Sequence, residues 1–256
     1  GSCYWRSWWN YPPVSKELIH SLKPDFIYIT HIHWDHFHGV SLRIFPTTTN
    51  IIIPKANMDR MKRDLNYLGF DNVTELNNGQ TMKLGTDLEI TSYHFYPFGI
   101  RLDSAVVIKN QKTSILNLND CKAMGLPLKK ILNKHPNLDF VFASHSSANS
   151  RACYQITDQD SFEPDDPDQY IKNFHLFCGR LGAKYAIPFA SNSCYLHKDT
   201  FKFNSLGKTP VNVRDYWKKM GITSPELKVM KSGDSWSEKT GFDICKKDWY
   251  SDREKL

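Results

Sequence analysis

The sequence predicts an α/β layered domain, and three observations carry that reading. Short β-branched and aromatic runs alternate with helix-period segments along most of the chain, the pattern that builds a mixed sheet covered by helices. Turn-forming residues such as Gly69, Asn77-Asn78-Gly79 and Gly182 separate the runs,. Several of the predicted strands end in a histidine or an aspartate.

Taken in order, the first 25 residues are rich in Trp and Tyr (Trp5, Trp8, Trp9, Tyr11) and hold Pro12-Pro13; they read as a packed lid on the core or as a substrate wall. A helix follows from Ser15 to Leu22, with Val14, Leu18 and Leu22 on one stripe, Ser15 as N-cap and Glu17 in the first turn,. Phe26-Ile27-Tyr28-Ile29 suits a buried strand,. Ser41 to Phe45 continues as a short helix, Asn50 to Pro54 is a buried strand ended by proline, and Met58 to Leu68 is an amphipathic helix stopped by Gly69,. The alternating strand Leu88 to Tyr93 delivers His94,. Ser104–Lys109 and Thr113–Leu118 form a hairpin whose second strand ends at Asn119-Asp120-Cys121. A helix from Pro127 to Lys134 leads to the strand Leu138–Ala143 and then to His145. Residues 155 to 168 are acidic and read as a loop; Tyr170 to Leu181 is a helix capped by Gly182, and Ala183 to Pro188 is the next strand,. Beyond Asp199 only Val213 to Met220 keeps a clear period, so residues 1–256 read as one domain with 199–256 a C-terminal extension packed on it.

A chain of 256 residues, 40% hydrophobic and 13% aromatic, buries a substantial core and is not a disordered tail,. No apolar window is long enough for a membrane span, and the start lacks the apolar core of a signal peptide,. Six scattered cysteines (Cys3, Cys121, Cys153, Cys178, Cys194, Cys245) suit reduced thiols and a cytoplasmic setting,. The charge of +6 is spread along the chain rather than gathered in a stripe. It reads as a solvated exterior rather than a nucleic-acid surface, and the excess would also suit an anionic small-molecule substrate. Arg43, Arg101, Arg151, Lys122 and Lys198 are candidates to bind such a group, although each reads more simply as ordinary surface.

The stretch that organises the chain is His31-Ile32-His33-Trp34-Asp35-His36, which follows the first buried strand. In an extended backbone His31 and His33 project to one side, and Asp35 and His36 can face a second ion after a turn. Imidazole with carboxylate suits zinc first, and iron or manganese as well. Two cations held a few ångströms apart need a carboxylate between them, and strand-end Asp120 is the best candidate. His38 reads as an orienting neighbour.

His31-x-His33-x-Asp35-His36 matches the metal-binding signature of the metallo-β-lactamase superfamily, which the chain thus resembles. Ser7-Trp8-Trp9, the run from Tyr28 to His33, Leu116 to Cys121, and Ile187-Pro188-Phe189-Ala190 with His197 following are similar to one branch. That branch is the metallo-β-lactamase-like part of CMP-N-acetylneuraminate hydroxylase; N-acyl-phosphatidylethanolamine phospholipase D is a more distant likeness. The resemblance implies an αββα sandwich with two divalent ions at the sheet edges, its N-terminal strands incomplete because the chain begins close to the histidine motif. It implies that His31, His33 and His94 hold one ion and that Asp35, His36 and Asp120 hold the other, with Asp120 shared. The late histidine of the superfamily is missing after Pro188, and His145 or His197 is the substitute, His197 being the preferred catalytic choice.

The leading expectation is a metal-dependent hydrolase in which an activated bridging water attacks a phosphodiester, ester or amide bond. Asp35 and His36 would then bind metal or move protons. The alternative is an iron oxygenase like the hydroxylase, whose Rieske cluster needs a paired Cys-x-His and Cys-x-x-His. This chain does not hold that pair, so an oxygenase would need a separate electron-transfer partner. A degenerate metal-binding scaffold is a third reading, disfavoured because the ligand positions are intact.

Overall fold

A computed structural model of the chain describes residues 9–96, 102–146, 166–191, 193–205, 207–247, 249 and 250. Trp5, Trp8, Arg101, Arg151 and the acidic stretch 155–165 lie outside the described residues. The chain divides into two compact units, one of residues 20–142 and the other of residues 1–19 with 143–256.

In chain order the elements are β1 (Trp9–Asn10), α1 (Lys16–Ser21), β2 (Phe26–Tyr28), α2 (Gly39–Leu42), β3 (Asn50–Pro54), α3 (Arg60–Tyr67), β4 (Val73–Leu76), β5 (Thr81–Lys83), β6 (Glu89–Phe95), β7 (Asp103–Lys109) and β8 (Ser114–Asn119). They continue with α4 (Leu126–Lys134), β9 (Phe140–Ala143), α5 (Pro167–Leu181), β10 (Tyr185–Pro188), β11 (Ser193–Cys194), α6 (Pro210–Met220), β12 (Glu226–Leu227), β13 (Ser235–Ser237) and β14 (Gly241–Asp243).

The 20–142 unit holds the chemistry. Its small sheet is parallel, in the order β2-β3-β4, with α3 as the crossover between β3 and β4,. The three isoleucines of β3 show why a continuous apolar run was needed. Ile51 and Ile53 pack against Met61 and Leu65 of α3 and against Phe70, while Ile52 faces Ile90 and Val106 of a second sheet. A strand buried on both faces cannot alternate polar and apolar residues. At about 1.5–3 kcal/mol for each fully buried side chain, these three residues anchor the unit. Gly69 stops α3 in the left-handed region (φ +94°), where a Cβ would also crowd Thr47 at 3.2 Å,.

The second sheet runs antiparallel through β5, β6, β7 and β8, with β9 beside β8. Its apolar face meets the small sheet through Ile52, Leu76, Ile90 and Val106, so two sheets sandwich one core. A polar clasp closes the sandwich at one end. The Tyr28 hydroxyl lies 2.7 Å from Ser92 Oγ and 2.9 Å from Ser104 Oγ, and Ser104 Oγ donates to the Thr30 carbonyl at 2.6 Å. Burial pushes the Tyr28 phenol up to about 12, so it stays protonated in this clasp,.

In the other unit, β10 pairs parallel with β12, β1 pairs antiparallel with β11, and β13 and β14 form a hairpin. Phe174 of α5 packs against Trp217 of α6 at 5.6 Å between ring centroids. Thr209 and Asn212 form a reciprocal cap at the start of α6, and Gly221 ends it in the left-handed region,. Among the described residues no helix is long and apolar enough to cross a membrane.

Several predicted bounds shift for local reasons. Ser15 caps α1 as expected, its Oγ accepting from Leu18 N at 3.0 Å, but the helix closes at Ser21. The short helix after the histidine loop begins at Gly39 rather than Ser41. β4 and β5 went unread in the sequence because their four and three residues give too little alternation to register,.

Candidate metal centre

The histidine loop begins where β2 leaves the sheet. His31 is 1% exposed and His36 partly buried. Thr30 organises both rings: its Oγ1 lies 2.9 Å from His31 Nδ1 and 3.4 Å from His36 Nδ1. With each Nδ1 engaged by that hydroxyl, the two Nε2 atoms are the ones left to ligate a metal,. His33 turns its other nitrogen inward, so His33 Nδ1 is 2.7 Å from His31 Nε2. Two ligands of one ion, each bonded at about 2.1 Å, stand roughly 3 Å apart, so this spacing suits a shared cation.

Asp120 comes from the other sheet. β8 ends at Asn119, whose φ of +42° lies in the left-handed region that Asn tolerates better than most residues,. Its side chain fixes the turn, donating to the Ser104 carbonyl at 3.0 Å and accepting from Asp120 N at 2.7 Å. The turn aims Asp120 Oδ2 to within 3.1 Å of His36 Nε2 and 3.9 Å of His31 Nε2. A carboxylate between the two imidazoles is where a bridging ligand belongs. Asp35 Oδ2 stands 3.6 Å from His36 Nε2 on the exposed side.

The electrostatics are those of a cage built for positive charge. Burial lowers the proton affinity of His36, but its hydrogen bond and charge interaction with Asp120, aided by Asp35 and Asp103, more than offset that and raise its pKa. Burial raises Asp120, yet His36, His31 and His33 outweigh it and hold the carboxyl below its usual range. Cys121 is pushed far up by burial and by the charges of Asp103 and Asp120, so it offers a neutral thiol beside the cage,.

Ligand-type atoms of His31, His36 and Asp120 lie within 4.8 Å of one another, and so do those of His31, His33 and Asp103. The two groups share His31. Of the residues expected at the centre, His31, His33, His36 and Asp120 come together, with Asp35 at the rim. His94 ends in the same sheet, opposite Ser104. The Leu76 backbone engages its ring, burial holds its pKa down, and its buried Nε2 has no hydrogen-bond partner among the described residues. An orphaned, neutral imidazole nitrogen at this sheet end fits the lone pair of a metal ligand. With the donor chemistry of the cage, it makes the residues present a fit for a pair of divalent ions.

His145 and His197 belong to the other unit, and neither donor group includes them. His145 is fully buried, edge-on to Phe174 of α5 at 6.4 Å. His197 is exposed, pairs with Asp199 at 3.5 Å, and starts a short 3-10 turn through its carbonyl. Cys194 and His197 have the Cys-x-x-His spacing of half a Rieske site, but no Cys-x-His accompanies it and Cys194 is buried in β11. His38 Nδ1 lies 2.8 Å from Ser41 Oγ. Thr30, Asp103 and Asn119 went unnoticed in the sequence. Thr30 directly precedes the motif, Asn119 directly precedes the candidate bridge, and Asp103 opens an apolar strand where nothing nearby marks it.

No protein-family profile matches the chain. Solved structures place it in the metallo-β-lactamase fold. The metallo-β-lactamase-fold protein YhfI of Bacillus subtilis superposes with a TM-score of 0.54 at 14% identity, covering 83% of this chain and 78% of that one. An isothiocyanate hydrolase from Delia radicum gut bacteria gives 0.57 at 15% identity over 86% of this chain and 78% of that one. The E377D mutant of CmlA β-hydroxylase gives 0.53 at 16% identity over 82% of this chain and 44% of that one. Among curated proteins, one of Mycobacterium tuberculosis named as a Rieske 2Fe-2S iron–sulfur protein is 23% identical over 223 residues, 82% of this chain. That match takes in 42% of the relative, so the chain spans about two fifths of the length of the curated relatives it matches.

Proposed function

We propose that this chain is the metal-holding catalytic portion of an oxygen-activating metalloenzyme served by a Rieske iron–sulfur cluster. The observation that carries the reading is the match, over 82% of this chain, to relatives named for such a cluster. It reverses the order expected from the sequence, where hydrolysis led for want of an electron source. The likeness in fold to CmlA β-hydroxylase agrees with it. So does the branch resemblance to CMP-N-acetylneuraminate hydroxylase.

When bound, a pair of iron ions would supply dioxygen binding and a place to receive electrons. The chain's own residues do the rest. Thr30 Oγ1 holds the Nδ1 edges of His31 and His36, which leaves both Nε2 atoms turned toward Asp120. Asp120, whose Oδ2 lies near both His31 Nε2 and His36 Nε2, would hold negative charge where two ions need it,. Asp35, on the exposed side of His36, is placed to pass protons between the cage and solvent,. The excess of basic residues suits an anionic substrate,.

Hydrolysis is the second reading, favoured by the cage itself, which equally suits zinc and an activated water,. The test is metal analysis of protein purified without added metal, with oxygen uptake followed on addition of a reduced Rieske protein. Iron together with reductant-dependent oxygen uptake is the expected result. Zinc, with turnover of a generic phosphodiester or ester and no oxygen uptake, would reject the oxygenase in favour of the hydrolase.

A further inference from the structure

We infer that Asp103 is a carboxylate donor to the ion held by His31 and His33, an inference that rests on the two-ion reading of the cage. Asp103 is the first residue of β7. In the antiparallel register it faces Phe95, and its neighbour Ser104 faces His94. The two strands therefore bring Asp103 and His94 to the same end of the sheet, and the Ser104 hydroxyl ties that end to Thr30 beside the histidine loop. A carboxylate oxygen of Asp103 and a ring nitrogen from each of His31 and His33 all lie within 4.8 Å of one another.

The side chain is 8% exposed. Two imidazoles and one carboxylate form the donor set that suits iron as well as zinc.

Formal charge points the same way. Two divalent ions bring four positive charges, and Asp35, Asp103 and Asp120 bring three negative ones. One hydroxide completes a neutral cage. Without Asp103 the same cage keeps a net positive charge in a partly buried place, where uncompensated charge is costly. His94, whose buried Nε2 has no hydrogen-bond partner among the described residues, offers a further nitrogen at this end of the sheet.

The experiment uses the whole chain, stripped of metal, in four forms: wild type, Asp103→Asn, Asp103→Ser and, as control, His33→Ala. Each is checked for folding by circular dichroism, titrated with zinc against a chromophoric chelator, and loaded with cobalt(II) for its visible spectrum. Asp103→Ser keeps a small polar group and guards against a misfolded amide variant. The wild type is expected to take up two ions. Both Asp103 variants should hold one of them about 100-fold or more weakly, a loss beyond that of a merely orienting neighbour, and should show an altered cobalt spectrum. A cobalt spectrum superimposable on that of the wild type overturns the inference whatever the affinity, because only orientation would then have been lost. If the wild type takes up no metal, the two-ion reading itself fails. If uptake is lost in His33→Ala and intact in Asp103→Asn, only the role of Asp103 fails.

Discussion

Replacing His145 by phenylalanine should flatten the acid limb of the protein's stability curve. The ring is fully buried, neither nitrogen has a hydrogen-bond partner in good geometry among the described residues, and its nearest ring is that of Phe174. Burial therefore drives its pKa down to about 4, with the backbone of Lys208 a partial counterweight,. In the unfolded chain the same group titrates near 6.5. Between those two values the unfolded state binds a proton that the folded state refuses, so stability falls as pH falls. The contribution is fully present above 6.5 and is lost by about pH 4. A gap of this size corresponds to about 3 kcal/mol. The assay is urea unfolding of the metal-free chain at a series of pH values from 4 to 8, for wild type and His145→Phe, plotted as a difference so that groups common to both cancel. The difference should change by about 3 kcal/mol across that window. Parallel curves would refute the buried neutral histidine. Loss of one bound metal ion in His145→Phe would reinstate His145 as a ligand.

Other outcomes follow from the same geometry. In the metal-free protein, Asp120→Asn should lower the pKa of His36, read by NMR titration, because that carboxylate is the main group opposing burial there. For the intact pair, raised His36 contributes stability below the unfolded histidine value and loses it as pH rises through the folded one. Lowered Asp120 contributes above the unfolded aspartate value of 3.8 and loses it as pH falls through the folded one. The pair should therefore stabilise the metal-free chain most between pH 3.8 and 6.5, and Asp120→Asn should erase that plateau in urea melts,. Ile52→Ala, between the two sheets, should cost about 2–5 kcal/mol in the same assay,. Adding zinc at about 100 times its dissociation constant should raise the unfolding free energy by about 2.7 kcal/mol, and chelation should reverse the gain.

The legible parts of this protein are those encoded by local pattern. Asn50 to Pro54 reads as a buried strand, and it is one, with Ile51 and Ile53 packed on one face and Ile52 on the other. The histidine loop announces itself because four donor residues crowd into six positions. Asp120 was found by its place at a strand end, although the left-handed Asn119 that aims it leaves no pattern of its own. Asp103 was not legible, and the reason is physical. Its meaning depends on the register of β7 against β6, which sets it opposite Phe95 at the end of the sheet that carries His94; a slip of one residue would turn its side chain to the other face. The sequence carries no mark of register until the hairpin and the core have set it.

Ser104 shows how much of the cage hangs on that register. Its Oγ donates to the Thr30 carbonyl, its carbonyl accepts from Asn119 Nδ2, and across the strand pair it faces His94. Three of the segments that supply candidate ligands are thus tied to one small residue that itself binds nothing. Ser104→Ala would keep the strand and the donors but leave the Thr30 carbonyl without this partner, at a cost of about 1–3 kcal/mol. Because that bond sets the height of the His31 loop over the sheet, metal affinity should fall along with stability. Affinity unchanged in a destabilised Ser104→Ala would mean that bound ions, and not the clasp, define the loop's position.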